Sequence, residues 1–166
     1  MIERISAFLR GFVYAARGAA LCVKTQRNMR FHLCAAAAVI FLASVGGFGR
    51  TEFVLLILTI ASVISAEIFN TAVEYTVDLC TREKHPLAGN AKDCAAGAVL
   101  MTAAASVCTG IILFGNAEFF AALKEWFGGS IIRYAAAAAY LVTAFLFVFA
   151  FPENKDNKNN DDSGQA

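Results

Sequence analysis

Three long stretches of the chain contain no charged residue, and each is long enough to cross a lipid bilayer. They cover residues 31–49, 94–117 and 134–152. A helix advances ~1.5 Å per residue, so about 20 apolar residues span a hydrocarbon layer of ~30 Å. The pattern therefore predicts three transmembrane helices in an all-α integral membrane protein.

A further apolar segment is interrupted by an acid. It follows Glu52 and remains uncharged only as far as Glu67, which is too short to cross the bilayer. The apolar pattern nevertheless continues through Ile68, Phe69 and Val73. We therefore expect one helix here that carries ionisable groups within or near the bilayer and brings the number of crossings to four.

The polar side chains of this segment share one narrow face, because a helix turns ~100° per residue. They are Glu67, Asn70, Glu74 and Asp78. Carboxylates in one stripe repel each other and resist desolvation, so protonation, a cation or a water-filled cleft must compensate. Acids inside a membrane segment indicate function, although Glu74 and Asp78 could also lie solvated among the lipid headgroups.

Two other segments have the pattern of helices that lie in the membrane interface. Residues 3–23 repeat apolar side chains at helical spacing with arginines between them, which predicts an amphipathic helix that could serve as an anchor alone. The connection 115–133 is rich in aromatic residues and contains Gly128 and Gly129, which predicts a short second interfacial helix. Residues 153–166 contain no large apolar side chain, so we expect a disordered polar tail.

Composition and net charge indicate a membrane protein that does not bind nucleic acid. The chain is 58% hydrophobic and 16% charged with a net charge of +1, whereas soluble domains have about 25% charged residues. There is no basic field to hold nucleic acid.

Lysine and arginine concentrate on cytoplasmic connections of membrane proteins, which places both termini of this chain in the cytoplasm. The residues that set this orientation are Arg4, Arg10, Arg17, Lys24, Arg27 and Arg30 before the first span, and Arg82, Lys84 and Lys92 after the second.

The connection after the acidic stripe brings cations close to it. Lys92 and Asp93 open the next span after Pro86 and Gly89, at a helix N-terminus that favours phosphate. Acids that can hold Mg²⁺ beside such a lysine are the minimum set for phosphoryl transfer. The chain has no GxxxxGK[ST] loop and no HRD or DFG triplet, which excludes P-loop and protein-kinase nucleotide sites. His85 has no second ligand at metal spacing, which argues against zinc.

Residues 67–78 read EIFNTAVEYTVD, which resembles the signature of the prokaryotic diacylglycerol kinase family of small membrane kinases. The resemblance continues through HPLA at 85–88 and AKDCAAGAVL at 91–100, and upstream through YAARG at 14–18 and RNMRFH at 27–32. It covers about residues 4–114. The RNMRFH and HPLA stretches look like the Gram-positive branch, whose members phosphorylate undecaprenol rather than chiefly diacylglycerol.

The resemblance implies a homotrimer of three-span subunits in the bacterial cytoplasmic membrane, where ATP comes from the cytoplasm and a lipid hydroxyl from the bilayer. It implies that Glu67 is the general base, that Asn70 supports it and that Glu74 holds Mg²⁺. It also implies that Lys92 contacts the phosphates and that Asp93 orients Lys92. The further residues that would line the nucleotide site are Tyr14, Glu83, Lys84 and His85.

Two features depart from the family pattern. The family usually has a glutamate as second metal ligand where this chain has Gln26. An amide oxygen can bind Mg²⁺ but adds no charge, so the resemblance implies a weaker or partly water-filled metal site. The other departure is the fourth span, residues 131–151, because the family core has three. We expect that span to lie outside the shared site.

These observations predict three regions and one main function. The regions are a kinase-like membrane domain at 1–115, an outer interfacial segment with an extra transmembrane helix at 116–152, and the polar tail at 153–166. The expected function is an ATP- and Mg²⁺-dependent lipid kinase acting on undecaprenol. One alternative is the same reaction on diacylglycerol, and a more remote one is a small transporter in which Glu67 exchanges protons.

Overall fold

The computed structural model describes residues 2–81 and 83–150, and six helices account for nearly all of them. No strand occurs in this part of the chain, which confirms the all-α prediction. The polar tail at 153–166 lies outside the described residues. The helices are α1 (Ile2–Thr25), α2 (Arg27–Val45), α3 (Arg50–Cys80), α4 (Pro86–Phe114), α5 (Ala117–Gly128) and α6 (Ile131–Phe149).

Four of these helices are long and apolar enough to cross a membrane, namely α2, α3, α4 and α6. The first span is displaced from the predicted 31–49 to Arg27–Val45. It ends early because a glycine-rich turn follows, in which Gly47 has a φ of 68°, a conformation that glycine adopts without strain. It begins early because Arg30 is buried in its first turn and is not solvated beside the membrane.

The bundle is built around the antiparallel pair α3 and α4. Helix α2 packs on α3, and α6 packs mainly on α2. Rings of Phe48, Phe114 and Phe119 join the α2–α3 turn to the α4–α5 turn, with centroids 4.8 Å apart for Phe48 and Phe114 and 5.0 Å apart for Phe114 and Phe119. The opposite end of the bundle therefore holds the α1–α2 junction, the α3–α4 turn and the last turn of α6.

Most apolar side chains of the single chain are exposed, as expected where lipid rather than water covers the helices. Helix α1 is the extreme case, because residues 7–21 are all exposed and Cys22 is the first buried one. Its last turn, which contains Cys22, leads into the junction with α2. An amphipathic helix whose apolar and basic side chains are both exposed over most of its length fits the predicted location in the membrane interface.

Candidate active site in the membrane-spanning helices

The polar face of α3 changes from buried to exposed along the helix. Glu67 exposes 1% of its surface and Asn70 7%, Glu74 is half-buried, and the side chain of Asp78 is 48% exposed. These residues follow each other at three- or four-residue spacing, so they form one continuous stripe as predicted. The stripe leads from the interior of the bundle to the α3–α4 turn.

Glu74 lies at the centre of a cluster with two amides. The side-chain nitrogen of Asn70, Nδ2, donates to Oε1 of Glu74 at 3.1 Å. The nitrogen of Gln26, Nε2, donates to Oε2 at 3.2 Å. Gln26 is the N-cap of α2 and has extended backbone angles, and its side chain makes no capping hydrogen bond to α2. The fold thus brings together two residues that are distant in sequence and that the resemblance had paired.

Two oxygen atoms beside this cluster have no hydrogen-bond partner among the described residues. They are Oε2 of Glu67 and Oδ1 of Asn70, and both are buried. A buried acceptor without a donor is costly, and both the proton of a bound hydroxyl group and a cation would relieve that cost. These oxygens and the Glu74 carboxylate are the hard ligands that a divalent cation such as Mg²⁺ takes.

The donor set suits a cation that is completed by substrate and water. Within residues 2–81 and 83–150 no three His, Cys, Asp or Glu side chains come together around one point. Mg²⁺ is commonly held by one or two carboxylates with substrate phosphates and water, and one half-buried Glu74 meets that requirement. Rotation of the Gln26 amide would present its oxygen in place of its nitrogen, since the two atoms are close in size.

Lys92 is tied to the stripe by an ion pair with Asp78. Its Nζ lies 2.6 Å from Oδ1 of Asp78, which connects α4 to α3. The resemblance implied that Asp93 orients Lys92, whereas the ion-pair partner of Lys92 in the structure is Asp78. The physical reason is that neighbouring residues on a helix point ~100° apart, so Asp93 and Lys92 do not face each other.

The other predicted nucleotide-site residues are exposed and are not joined to the Glu74 cluster. His85 caps α4, where its Nδ1 accepts from the backbone nitrogen of Leu87 at 3.2 Å. Tyr14 lies on α1 beside Arg17, whose guanidinium carbon is 6.0 Å from the ring centroid. Tyr14 precedes Gln26 by twelve positions, a distance of about 18 Å along a helix. The remaining exposed residues of this set are Glu83, Lys84 and Asp93.

One residue next to the cluster was missed by sequence reasoning. Arg30 exposes 1% of its surface and donates to backbone carbonyls of both α1 and α6. Its charge suggested a solvated position at the membrane surface. The sequence signal for its burial was that Arg30 follows Gln26 by four residues. It therefore lies in the first turn of α2, directly after the end of α1.

A cleft of about 100 Å³ between α2, α3 and α4 approaches the stripe from the other direction. Its wall includes Ala35, Val63, Ile64 and Gly110. Val63 and Ile64 precede Glu67 by one helical turn, so the lined part of the cleft stops about one turn before the buried carboxylate. The lining is mostly apolar, with His32, Thr59, Ser106 and Thr109 as its polar members.

A buried carboxylate in a membrane-spanning helix, followed along one face by an oxygen-rich cluster and then by an acid paired with a lysine, is an arrangement suited to phosphoryl transfer in an integral membrane enzyme. The sequence profile of prokaryotic diacylglycerol kinase matches residues 13–114. The chain belongs to the prokaryotic diacylglycerol kinase family, and it is a bacterial membrane lipid kinase that uses ATP. Membership of this family decides against the transporter alternative.

Individual relatives agree with the family assignment. The chain is 41% identical over 112 residues to undecaprenol kinase of Bacillus subtilis strain 168, which covers 68% of this chain and 91% of that protein. It is 44% identical over 103 residues to a diacylglycerol kinase of Synechocystis, covering 61% and 59%. It is 30% identical over 107 residues to a diacylglycerol kinase of Haemophilus influenzae, covering 64% and 87%. No solved structure matches the chain.

Proposed function

We propose that this chain transfers the γ-phosphate of ATP to the hydroxyl group of undecaprenol, with Mg²⁺ as cofactor. The observation that carries the reaction is the buried Glu67 carboxylate, whose Oε2 has no partner in the described part of the chain. That oxygen lies one helical turn from Asn70 and two from Glu74. A lipid hydroxyl that reaches it from the bilayer would meet a proton acceptor and the phosphate-binding groups together.

Glu67 is proposed to take the proton of the lipid hydroxyl as oxygen attacks the γ-phosphorus. The bond from that phosphorus to the bridging oxygen of ATP then breaks, and ADP leaves. Asn70 is proposed to support this step by holding Glu74 through Nδ2, which leaves its buried Oδ1 without a hydrogen-bond partner in the described part of the chain. Excluding water around Glu67 prevents transfer of the phosphoryl group to water.

Glu74 and Gln26 are the proposed metal-holding residues. When bound, Mg²⁺ would neutralise charge on the phosphate oxygens. Lys92 is proposed to contact the phosphates, and Asp78 keeps its ammonium group on the side of the stripe. The nucleotide site is further proposed to include Tyr14, Glu83, Lys84, His85 and Asp93.

Support for a polyprenol over diacylglycerol comes from the Bacillus subtilis relative, which is named undecaprenol kinase and is covered over 91% of its length. The alternative substrate is favoured by the Synechocystis relative, named diacylglycerol kinase. Comparing initial rates for both lipids at equal mole fraction in mixed micelles tests the choice. We expect faster transfer to undecaprenol, and equal or reversed rates would overturn that substrate assignment.

A homotrimer with its site end in the cytoplasm is proposed for the assembly. The support is that α1 exposes residues 7–21, so Tyr14 is free to approach the site of a second subunit rather than its own. The α3–α4 turn and the basic α1–α2 junction lie at the same end, as the concentration of Lys and Arg on cytoplasmic connections requires.

Replacing Gln26 with glutamate is expected to strengthen metal binding. In Gln26→Glu two carboxylates face each other where an amide now donates to Glu74 at 3.2 Å. We expect about a tenfold lower metal concentration for half-maximal transfer, because affinity in oxygen-ligand sites rises with ligand charge. Without metal, the repulsion should lower the melting temperature. Gln26→Ala is the control and should raise the metal requirement; an unchanged requirement in Gln26→Glu would remove Gln26 from the metal site.

The apolar cleft provides a test of lipid binding. Ala35 lines it, whereas Ala37 on the same helix is exposed and does not. Ala35→Leu should raise the KM for undecaprenol by about tenfold, as changes of a few methylene groups in apolar pockets do, and should leave the KM for ATP unchanged. Ala37→Leu should behave like the wild type. Equal lipid KM values for both variants would contradict a role of the cleft in holding the chain of the substrate.

A further inference from the structure

The guanidinium of Arg30 lies where three helices meet. Arg30 is in the first turn of α2 and exposes 1% of its surface. One terminal nitrogen donates to the backbone carbonyls of Val23 and Lys24 in the last turn of α1, at 3.2 and 3.3 Å. The other donates to the carbonyl of Val148 in the last turn of α6, at 3.2 Å. A single side chain thus joins α1, α2 and α6.

This arrangement has a clear electrostatic basis. The last carbonyls of a helix have no partner within it, and they carry partial negative charge. Two such helix ends converge on Arg30, whose planar fork of donors can bond several acceptors at fixed angles. The carbonyls compensate a buried cation that would otherwise be costly.

The turn that Arg30 closes is the one that presents Gln26. The carbonyls that it holds on α1 come directly before Thr25 and Gln26, and Arg30 itself comes four residues later. Gln26 has a φ of −109° and a ψ of 116°, and its side chain donates to Glu74 at 3.2 Å. Loss of the Arg30 contacts would therefore shift the backbone of Gln26, and with it the Cα–Cβ bond of its side chain, relative to Glu74.

Helix α6 lies outside the match to the family profile, which covers residues 13–114. It is fastened along α2, where the Tyr140 hydroxyl donates to the carbonyl of Cys34 at 2.5 Å and the Arg27 guanidinium carbon lies 5.8 Å from the ring centroid of Phe149. The Val148 carbonyl connects α6 through Arg30 to the α1–α2 junction that presents Gln26.

We propose that Arg30 is a positioning residue through which the additional helix α6 holds Gln26 against Glu74 and so sets the affinity for the metal–nucleotide complex. The proposal rests on the proposed function, because it concerns the complex that Gln26 and Glu74 would hold. Helix α6, which the sequence analysis placed outside the site, thereby contributes to binding of the metal–nucleotide complex.

The first test is a double-mutant cycle on metal–nucleotide binding by the full-length protein. Electron paramagnetic resonance measures binding of Mn²⁺ in the presence of adenylyl imidodiphosphate, which cannot transfer its terminal phosphate. Arg30→Lys keeps the charge but not the fork, and it should weaken Mn²⁺ binding about tenfold, as should Gln26→Ala. Residues that act through one another give non-additive effects, so the double variant should bind no more weakly than the weaker single variant. Additive effects would overturn the proposal.

The second test addresses α6 without removing it. Ala144 precedes the buried Val148 by one helical turn and is half-buried, whereas Ala139 is exposed. Ala144→Trp should displace α6 from α2 and weaken Mn²⁺ binding as Arg30→Lys does, with no further loss when the two are combined. Ala139→Trp should bind like the wild type. Wild-type binding by Ala144→Trp would overturn the role of α6.

Activity separates this proposal from the proposed function. In Arg30→Lys the KM for the metal–ATP complex should rise while the KM for the lipid stays unchanged, a split that general destabilisation would not produce. A wild type that binds Mn²⁺ and the analogue but phosphorylates neither lipid would refute the proposed function, while the binding cycle still decides the role of Arg30. Transfer by the wild type with additive binding losses would refute the role of Arg30 alone.

Discussion

Glu67→Gln is expected to lower the rate of phosphoryl transfer by roughly 10²–10⁴-fold, the usual contribution of a general base. The amide has nearly the shape of the carboxylate but cannot accept the proton of the lipid hydroxyl. The hydrogen bond of Thr71 to residue 67 uses the backbone carbonyl, at 2.9 Å, so the helix should keep its local structure. The measurement is the initial rate of transfer from γ-labelled ATP at saturating metal, ATP and lipid.

The matched control is Glu52→Gln, the same change on the same helix at its opposite end. Glu52 lies in the first turn of α3, far along the helix from the stripe, and its replacement should leave the rate within a factor of about two. Substantial activity in Glu67→Gln, at a tenth of the wild-type rate or more, would show that another group takes the proton.

Glu74→Gln is expected to have the second-largest effect, on the metal requirement. It removes the charge of the cluster and leaves three neutral amides at positions 26, 70 and 74. Loss of a residue that contacts a metal ligand, but not the metal itself, costs about 10–100-fold in metal affinity. Loss of the charged ligand should therefore raise the metal concentration for half-maximal transfer by roughly 100-fold or more. Titration of the rate with Mg²⁺ measures this directly.

Two comparisons make the result of Glu74→Gln specific. Glu125→Gln changes an exposed acid on α5 and should leave the metal titration unchanged. The melting temperature of Glu74→Gln should stay close to that of the wild type, because the amides can bond each other. A metal requirement equal to the wild type in a folded Glu74→Gln variant would place the metal elsewhere.

Periodicity along the chain predicts most of the fold. The four spans and the two amphipathic helices follow from the apolar pattern, since a helix in lipid must present apolar side chains over its whole crossing. The stripe from Glu67 to Asp78 follows from the same rule, because residues within one helix have fixed angular relations. Helix ends are less well predicted, as the first span shows, because the buried Arg30 looks like a flanking charge in the sequence.

The sequence pattern alone does not predict the side-chain contacts between helices. The bond from Gln26 to Glu74 depends on how the α1–α2 junction packs on α3, and only the family resemblance indicated it. The pairing of Lys92 with Asp78 rather than Asp93 depends on the angle between α3 and α4. The link from Arg30 to Val148 joins the family core to a helix outside it, so neither local pattern nor family resemblance predicted it.

Undecaprenol kinase activity is tested most directly by transfer of labelled γ-phosphate from ATP to undecaprenol with purified protein in mixed micelles, with Mg²⁺ or with a chelator. We expect labelled undecaprenyl phosphate that forms only with Mg²⁺, and whose rate of formation is reduced at least about 100-fold in Glu67→Gln. Labelled lipid that forms equally well with the chelator, or no labelled undecaprenol from a folded wild type that phosphorylates diacylglycerol, would contradict it.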